Sequence, residues 1–275
     1  SAAPDDGNMM MLEAVGTADQ KTRWLAPIAA GEVRSAFSMT EPHPGGGSDP
    51  GMIRTRAEAQ PDGSYKIYGR KWFITGAEEA AHFCVIARTS DDPRTGLTAF
   101  LHHKDQPGWR IVRRIPIMGP EEHGGHCEIE YDGLHIPPED ILMGVGKGLK
   151  ATQVRLGPAR LTHCMRWLGL AERCITIAKD YAAVREGFGV RLADRESVQL
   201  MLGKTAMAIE IGRLLVMKAA WDLDRGGLAR KEVSMAKIQA ANTLHQAVDM
   251  AIQINGARGY SKDTVLEWIY RYARQ

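Results

Sequence analysis

Two short segments combine residue types that can hold a flat heterocyclic ligand. In residues 38–49, SMTEPHPGGGSD, a short strand is predicted to run into a glycine-rich loop. Glycines let a ligand approach the backbone amides, although such a loop can also be a plain long turn. Residues 71–76, KWFITG, combine two aromatic rings with a hydroxyl on a predicted strand. Aromatic faces pack against flat rings and a hydroxyl can bond a ring heteroatom, so together the segments predict a ligand site.

Two other motifs resemble ligand sites, and we interpret both as structural. Residues 144–148, GVGKG, open a helix without the spacing of a Walker A loop, and no G-x-G-x-x-G joins a strand to a helix. His123, His126 and Cys127 are metal-ligand types in one loop, but no further ligand pair is evident nearby. The sequence therefore predicts no metal site. Three other histidines are interpreted as surface residues: His43, His102 and His103.

The composition is that of a globular protein with a near-neutral charge. Among 275 residues, 35 Lys+Arg oppose 33 Asp+Glu, and 44% are hydrophobic. The formal charge of +2 predicts no nucleic-acid partner, and no apolar run reaches the ~18 residues of a transmembrane helix. Four separated cysteines without a C-x-x-C pair argue against a disulfide scaffold and fit a reducing compartment.

Proline divides the chain into a β-rich front and a helical back, because 12 of 13 prolines precede residue 151. Thr17 is predicted to cap a helix in the first 36 residues, which Pro27 interrupts. Short segments separated by Gly/Pro turns predict a small antiparallel sandwich or barrel, at residues 54–60, 65–69, 83–88, 97–102, 109–114 and 127–134. Apolar residues repeating every three or four positions predict a bundle of four helices, near residues 147–184, 197–225, 231–254 and from about 264.

Four motifs, in order and spacing, resemble the acyl-CoA dehydrogenase family over residues 17–275. They are GEVRSAFSMTEP (31–42), KWFITG (71–76), REGFG (185–189) and AIQINGARGY (251–260). Residues 156–173 are similar to the branch fused behind phosphotransferase-like domains in animals, whose members favour long or branched acyl chains. The resemblance implies an α+β fold in three parts: the end of an N-terminal helical domain (1–36), a middle antiparallel β-domain (37–145) and an incomplete C-terminal four-helix bundle (146–275).

The resemblance implies an FAD site between the last two domains. The residues assigned to the flavin ring are Phe37, Met39, Thr40, Phe73, Ile74 and Thr75. Those assigned to the FAD of a neighbouring subunit are Arg185, Phe188, Gln253, Asn255 and Gly256. Ser48 is assigned both to FAD and, together with Arg160, to the CoA thioester chain. Phe73 replaces the usual tryptophan of the flavin wall, Gly157 replaces an acidic residue of many relatives, and the loop after Pro42 is two residues longer than the common form.

The implied reaction is α,β-dehydrogenation of a fatty acyl-CoA to the trans-2-enoyl-CoA. A carboxylate removes the α-proton while the β-hydrogen leaves as hydride to the flavin. The resemblance also implies a homotetramer, a dimer of dimers, that passes electrons to an electron-transferring flavoprotein. Two alternatives stay open: an acyl-CoA oxidase that uses O2, and a non-catalytic scaffold of the same fold. The implied compartment is the bacterial cytoplasm, the mitochondrial matrix or the peroxisome, with any targeting region not visible.

The catalytic acid is not expected within these 275 residues. In the family it stands either immediately before the arginine that matches Arg160, where this chain has Ala159, or in a loop after the last helix. Residues 268–275, WIYRYARQ, match the helix that leads to that loop. Glu41 lies near the flavin by motif but belongs to the binding loop. An acidic residue followed by glycine is therefore expected shortly after Gln275, and the chain is expected to be a fragment at both ends.

Overall fold

The computed structural model describes residues 3–93, 95–119 and 124–274. The chain divides into two compact units, residues 1–117 with 121–158 and residues 118–120 with 159–275. Each unit has hydrophobic cores of its own. Within the described ranges, no helix is both long enough and apolar enough to cross a bilayer.

Short helices open the first unit: α1 (Asp5–Val15), α2 (Ala18–Gln20) and α3 (Ala26–Ala29), with a π-helical turn at Lys21–Leu25. The Thr17 hydroxyl accepts the Gln20 amide, and the Gln20 side chain accepts the Thr17 amide, so the predicted cap is confirmed. The predicted interruption at Pro27 is wrong, because α3 contains this proline. In the preceding π turn the Ala26 amide donates to the Lys21 carbonyl, and this wider turn accommodates the proline ring.

The strands of the first unit form one eight-stranded sheet, in the order β6-β7-β3-β2-β4-β5-β8, with β1 paired to β4. The described strands are β1 (Arg34–Ser38), β2 (Arg56–Ala59), β3 (Tyr65–Thr75), β4 (Ala80–Arg88), β5 (Leu97–His103), β6 (Trp109–Arg114), β7 (His126–Ile136) and β8 (Ile141–Leu142). Every strand segment that the sequence predicted is present. The two-residue β8 was not predicted, since it is too short to show a period.

The sheet is mixed, and this corrects the prediction of an antiparallel β-domain. β1 runs parallel to β4, and β2 meets β4 in one parallel pair, Arg56 beside Arg88. The other described strand pairs of the sheet are antiparallel. Parallel neighbours need a long crossover, and residues 39–79 provide it with the β2–β3 hairpin instead of a helix. This crossover carries both segments of the predicted ligand site.

Strands β4 and β5 are covered on both faces, which explains their nearly continuous apolar sequence. On one face Phe83, Val85 and Phe100 pack against strands β3 and β7. On the other face Cys84, Ile86 and Leu101 pack in a cluster with α1. Because of this double cover, His102 has no exposed surface, and its interpretation as a surface histidine is wrong.

The second unit is helical, as predicted. The described elements are α4 (Gly148–Val184), whose first residues belong to the first unit, α5 (Glu196–Asp224), α6 (Arg230–Asn255), α7 (Ala257–Tyr260), α8 (Leu266–Tyr272) and a small hairpin of β9 (Glu186–Gly187) and β10 (Val190–Arg191). Small residues line the helix contacts: a Cβ on Gly212 of α5 would lie 2.7 Å from the Leu168 side chain of α4. The Thr243 hydroxyl of α6 donates to the Ala208 carbonyl of α5 at 3.3 Å. The three long helices therefore share one core.

Candidate functional site

The end of β1 is hydrogen-bonded to the middle of β3. The Trp72 amide donates to the Thr40 carbonyl at 2.9 Å, and the Thr40 hydroxyl donates to the Trp72 carbonyl at 2.6 Å. Because its proton is used in this bond, the Thr40 hydroxyl can only accept a hydrogen bond from a ligand. The two segments that carry the sequence motifs, residues 38–49 and 71–76, thus lie side by side.

Phe73 lies in an irregular part of β3 and is exposed. The pairing of β3 with β7 shifts between Lys71 and Ile74, and Phe73 has a φ of 52°, in the left-handed region. Its side chain is 45% exposed, and its ring contacts the Trp72 ring edge-on with centroids 4.9 Å apart. Strained backbone that presents an aromatic ring to the outside is typical of ligand sites.

The next two residues differ in what they present. The Ile74 side chain is 1% exposed and packs in the core, so a ligand would meet only its backbone. The Thr75 hydroxyl lies 3.0 Å from Nδ1 of His126, whose ring centroid is 6.4 Å from that of Phe73. His123 lies outside the described residues. In the part of the chain that the structure describes, no three His, Cys, Asp or Glu side chains form a metal-binding group.

The glycine-rich loop folds around the side chain of Glu41. The Glu41 amide donates to the Gly46 carbonyl at 2.7 Å, and a Cβ added to Gly45 would lie only 2.6 Å from the Glu41 Cβ. The glycine at position 45 therefore leaves room for Glu41 and not for a ligand, which corrects the sequence interpretation there. At Gly47 nothing lies within 4 Å of an added Cβ, and Ser48 is exposed. Only this outer part of the loop is open to a ligand.

Glu41 and Lys71 form a buried ion pair beneath the loop. The Lys71 ammonium has no exposed surface and donates to the Met39 carbonyl and the Glu41 carboxylate, each at 2.8 Å. Glu41 also accepts the amides of Arg54 and Thr55, at 2.7 and 2.9 Å. Burial lowers the pKa of Lys71 to about 8. Burial alone would raise the pKa of Glu41, but the charge of Lys71 and the hydrogen bonds hold it below its usual value.

Phe37 is half-buried and lies under Arg155, a residue of α4 within the first unit. The Arg155 guanidinium carbon is 4.1 Å from the ring centroid, and Nε donates to Asn8 of α1 at 2.7 Å. Asn8 in turn donates to the Ser35 hydroxyl of β1 at 2.8 Å. Because Arg155 covers one face of the Phe37 ring, a ligand contact at Phe37 would use its other face, its edge or its backbone.

In the second unit, Arg185 and Phe188 lie in the β9–β10 hairpin. Phe188 and Gly189 have φ of 56° and 79°, which is typical of a two-residue type I′ turn. The Phe188 side chain is completely exposed, and Arg185 is exposed too. Arg195 donates to the Gly187 carbonyl at 2.7 Å and holds the hairpin against the start of α5. An aromatic ring on a fixed hairpin tip is available to another molecule.

Residues 253–256 end α6 and take different roles. Asn255 is 2% exposed, and its amide donates to the Ala251 carbonyl at 2.9 Å, so its side chain serves the helix end. Gly256, with a φ of 57°, permits the sharp change of direction into α7. Gln253 is exposed on the last turn of α6. Of the three assigned positions, Gln253 is the one whose side chain is free to meet a ligand.

The ends of α4 and α6 lie at the same end of the second unit. The Arg258 guanidinium of α7 is 5.8 Å from the Tyr181 ring centroid, in the last turns of α4. Tyr181 also accepts the Arg185 amide through its carbonyl. The hairpin with Arg185 and the segment with Gln253 are therefore neighbours.

Arg160 is exposed on α4, in the second unit. Its guanidinium has no carboxylate partner among the residues that the structure describes. The preceding residue, Ala159, is 8% exposed and cannot ionise. At this point α4 therefore offers a cation for an anionic or polar ligand group, and position 159 offers no acid.

The open groups of the first unit suit a flat ring system with hydrogen-bonding edges. Phe73 supplies an exposed aromatic face, the Thr40 hydroxyl a free acceptor, and Gly47 an open backbone position. A flavin ring has these properties, so the residues fit the cofactor that the resemblance implies.

Sequence reasoning missed the supporting roles of Lys71 and Arg155. In β3, Ile67, Gly69 and Lys71 share one face by the period of two, so alternation would have predicted an inward lysine. A lysine on a buried face needs an acceptor, and Glu41 was the nearest acid in the other motif. Arg155 gives no comparable signal, because its partners in α1 and β1 are about 120 to 150 residues away in sequence.

Comparisons with known proteins agree with this fold. Family models of the acyl-CoA dehydrogenases match residues 36–134 (middle domain) and 146–275 (C-terminal domain). A Mycobacterium tuberculosis protein described as a probable acyl-CoA dehydrogenase is 40% identical over 99% of this chain and 68% of its own length. Acyl-CoA dehydrogenase family member 11 of Rattus norvegicus is 36% identical over 99% of this chain and 36% of its own length. The structure of butyryl-CoA dehydrogenase from Megasphaera elsdenii has a TM-score of 0.91 at 30% identity, covering 97% of this chain and 69% of that chain.

The chain belongs to the acyl-CoA dehydrogenase family, flavoprotein oxidoreductases that act on CH–CH groups. The predicted family and the predicted similarity to its animal branch are both confirmed. The chain spans about two thirds of the mycobacterial relative and 36% of the rat protein.

Proposed function

We propose that this chain belongs to an enzyme that carries out α,β-dehydrogenation of a fatty acyl-CoA, with FAD held beside the paired segments of β1 and β3. The observation that supports this best is the exposed Phe73 beside the Thr40 hydroxyl, on segments that match the family's middle domain. When bound, FAD supplies the acceptor for the hydride that leaves the β-carbon. The chain's own residues would bind and orient the flavin ring and the thioester chain of the substrate.

The proposed flavin contacts combine side chains and backbone. Phe73 would pack against the ring, the Thr40 and Thr75 hydroxyls would bond its polar edge, and Ile74 would contribute backbone only. Met39 would also act through its backbone, which Lys71 holds in place by its hydrogen bond to the Met39 carbonyl.

In the second unit, Arg185, Phe188 and Gln253 would meet FAD bound by a neighbouring subunit, while Asn255 and Gly256 shape the segment that presents Gln253. Ser48 and Arg160 are the proposed contacts of the CoA thioester chain.

We place the catalytic acid after residue 275 of the whole protein, as an acidic residue followed by glycine. Glu41 is a poor candidate, because its carboxylate is 4% exposed and its oxygens already bind Lys71 and two backbone amides. Ala159 cannot ionise. A general base must reach the proton that it removes, and neither position provides one.

The proposed substrate is a long or branched acyl-CoA, supported by the similarity to the animal branch. The proposed assembly is a homotetramer that delivers electrons to an electron-transferring flavoprotein. An outer stripe of α5 supports self-association, because apolar side chains recur there at helical spacing and stay exposed in the single chain: Leu200, Met207, Ile211, Leu214, Met217 and Trp221.

The test is a panel of straight and branched acyl-CoAs, assayed with an artificial electron acceptor. The full-length protein should turn over long or branched substrates, and a form that ends at Gln275 should bind flavin poorly and be inactive. Changing the downstream acid to Gln should abolish activity in the full-length protein. Robust turnover by the 275-residue form would contradict the assignment of the acid and make Glu41 the next candidate.

Two further measurements separate the alternatives. Fast reoxidation of the reduced protein by air in stopped flow would favour an acyl-CoA oxidase, since a dehydrogenase reoxidises slowly. A purified full-length protein without flavin absorbance would favour a non-catalytic scaffold.

A further inference from the structure

We infer that the buried Glu41–Lys71 pair is a positioning device, which fixes the backbone of residues 39–40 against the Trp72–Phe73 part of β3 and thereby sets how the flavin ring is held. This inference rests on the proposed function. Neither side chain is free to touch a ligand, because both are buried and hydrogen-bonded within the first unit. The pair therefore acts through the residues that it holds.

Lys71 orients the peptide bond between Met39 and Thr40. Its ammonium donates to the Met39 carbonyl at 2.8 Å, from inside β3. The next residue, Thr40, exchanges two hydrogen bonds with Trp72, the neighbour of Lys71 in β3. Three consecutive bonds thus lock the end of β1 to β3 directly beside the exposed ring of Phe73.

Glu41 anchors a third segment to the same point. Its two oxygens accept the amides of Arg54 and Thr55, just before β2, while one of them also binds Lys71. The loop closes over this carboxylate, and Gly45 permits the close approach. One buried carboxylate therefore links the end of β1, the approach to β2 and the middle of β3.

Stability alone does not account for such a pair. Removing two charges from water costs free energy that their attraction often only offsets, and well-packed apolar residues of similar size can be equally stable. What apolar residues cannot supply is the direction of the bonds to the Met39 carbonyl and to the Arg54 and Thr55 amides. The pair is thus suited to fixing geometry.

The experiment uses the full-length protein and compares one double variant with a stability control. Glu41→Gln combined with Lys71→Met removes both charges and leaves no unpaired buried charge. Ile67→Ala is the control, because Ile67 lies on the same strand with no exposed surface and takes no part in the proposed site. Urea unfolding, FAD affinity by fluorescence titration and the visible flavin spectrum are measured for each. A small misplacement of a positioning group can lower a reaction rate about a hundredfold.

We expect the double variant to bind FAD at least about tenfold more weakly than the wild type, with a flavin spectrum like that of free FAD. Ile67→Ala should lose as much or more stability while its FAD affinity stays within about twofold. If the double variant cannot be purified folded, Gly45→Ala tests the same point by crowding Glu41 without removing a charge. It should weaken FAD binding and speed hydrogen exchange at the Trp72 amide.

Several outcomes would overturn the inference. Wild-type FAD affinity and spectrum in the double variant, or in Gly45→Ala, would show that the pair does not position the site. A loss of affinity that follows the loss of stability equally in Ile67→Ala would make the pair merely structural. If the full-length wild type takes up no flavin at all, the proposed function itself fails, and this inference fails with it.

Discussion

Acid should destabilise the first unit through His102, and replacing this residue should remove much of that effect. His102 is fully buried and stacks on Phe83 with ring centroids 4.8 Å apart. Its Nε2 lies 3.4 Å from the Tyr131 hydroxyl, and its other neighbours include the Trp109 ring and His103. Burial lowers the pKa of His102 from 6.5 to about 3. The folded protein therefore keeps this ring neutral where the unfolded chain protonates it.

The sign and size of this effect on the free energy of unfolding follow from proton linkage. Below pH 6.5 the unfolded state binds a proton that the folded state does not, so the free energy of unfolding falls as the pH falls. The contribution is complete above pH 6.5 and is lost progressively down to about pH 3. One pKa unit corresponds to about 1.4 kcal/mol, so by about pH 4.5 His102 alone should lower the free energy of unfolding by about 2 to 3 kcal/mol.

The assay is urea unfolding of His102→Leu and wild type at several pH values between about 7.5 and 4.5. Leucine has a similar volume and no proton to bind. At neutral pH the variant should be about 1 to 2 kcal/mol less stable, because it loses the ring stack and a weak hydrogen bond. At about pH 4.5 this difference should vanish or reverse. A difference that stays constant with pH would refute the reasoning, and His103→Leu, on the same strand but partly exposed, is the matched control.

Two predictions concern the second unit. Arg160→Ala should lower kcat/KM by about tenfold or more, with little change in Tm, because the exposed guanidinium lacks a carboxylate partner within the described chain. A large Tm shift with normal kinetics would instead favour a structural role. Arg185→Ala should lose FAD and loosen the oligomer together, measured by the flavin-to-protein absorbance ratio and by gel filtration. A variant that stays fully flavinylated and tetrameric would contradict the inter-subunit assignment.

Local pattern predicts most elements of this fold, since most leave a period or a short apolar segment in the sequence. The bundle helices follow from apolar residues every three or four positions, and β4 follows from the apolar segment at residues 83–88. The parallel pairing of β1 with β4 leaves no such signal, because it depends on how a crossover of some 40 residues folds back. Pro27 shows that local prediction can also fail at short range. A π turn, which no local sequence rule predicts, makes room for its ring.

The candidate site likewise has a part that the sequence predicts and a part that it does not. Motifs point to Thr40 and Phe73 as candidate contacts, because residue types that can contact a flat ring stand close together in sequence. They do not reveal that Gly45 makes room for Glu41, or that Asn255 serves a helix end. Those roles depend on which atoms lie above or below a residue, and only the folded chain determines that. His102 is misjudged for the same reason, because its burial comes from covering both faces of β5.

The end of β1 is held from three directions by other groups of the first unit. Lys71 fixes the Met39 carbonyl, Trp72 fixes Thr40, and the Tyr131 hydroxyl donates to the Ser38 hydroxyl at 2.9 Å from the core side. A ring placed against this backbone would therefore meet a surface with little freedom to adjust. In a site of this kind, the placement of the bound ring depends on the buried polar supports as well as on the residues of contact. Substitutions that change the chemistry should accordingly be sought in the support as well as in the lining.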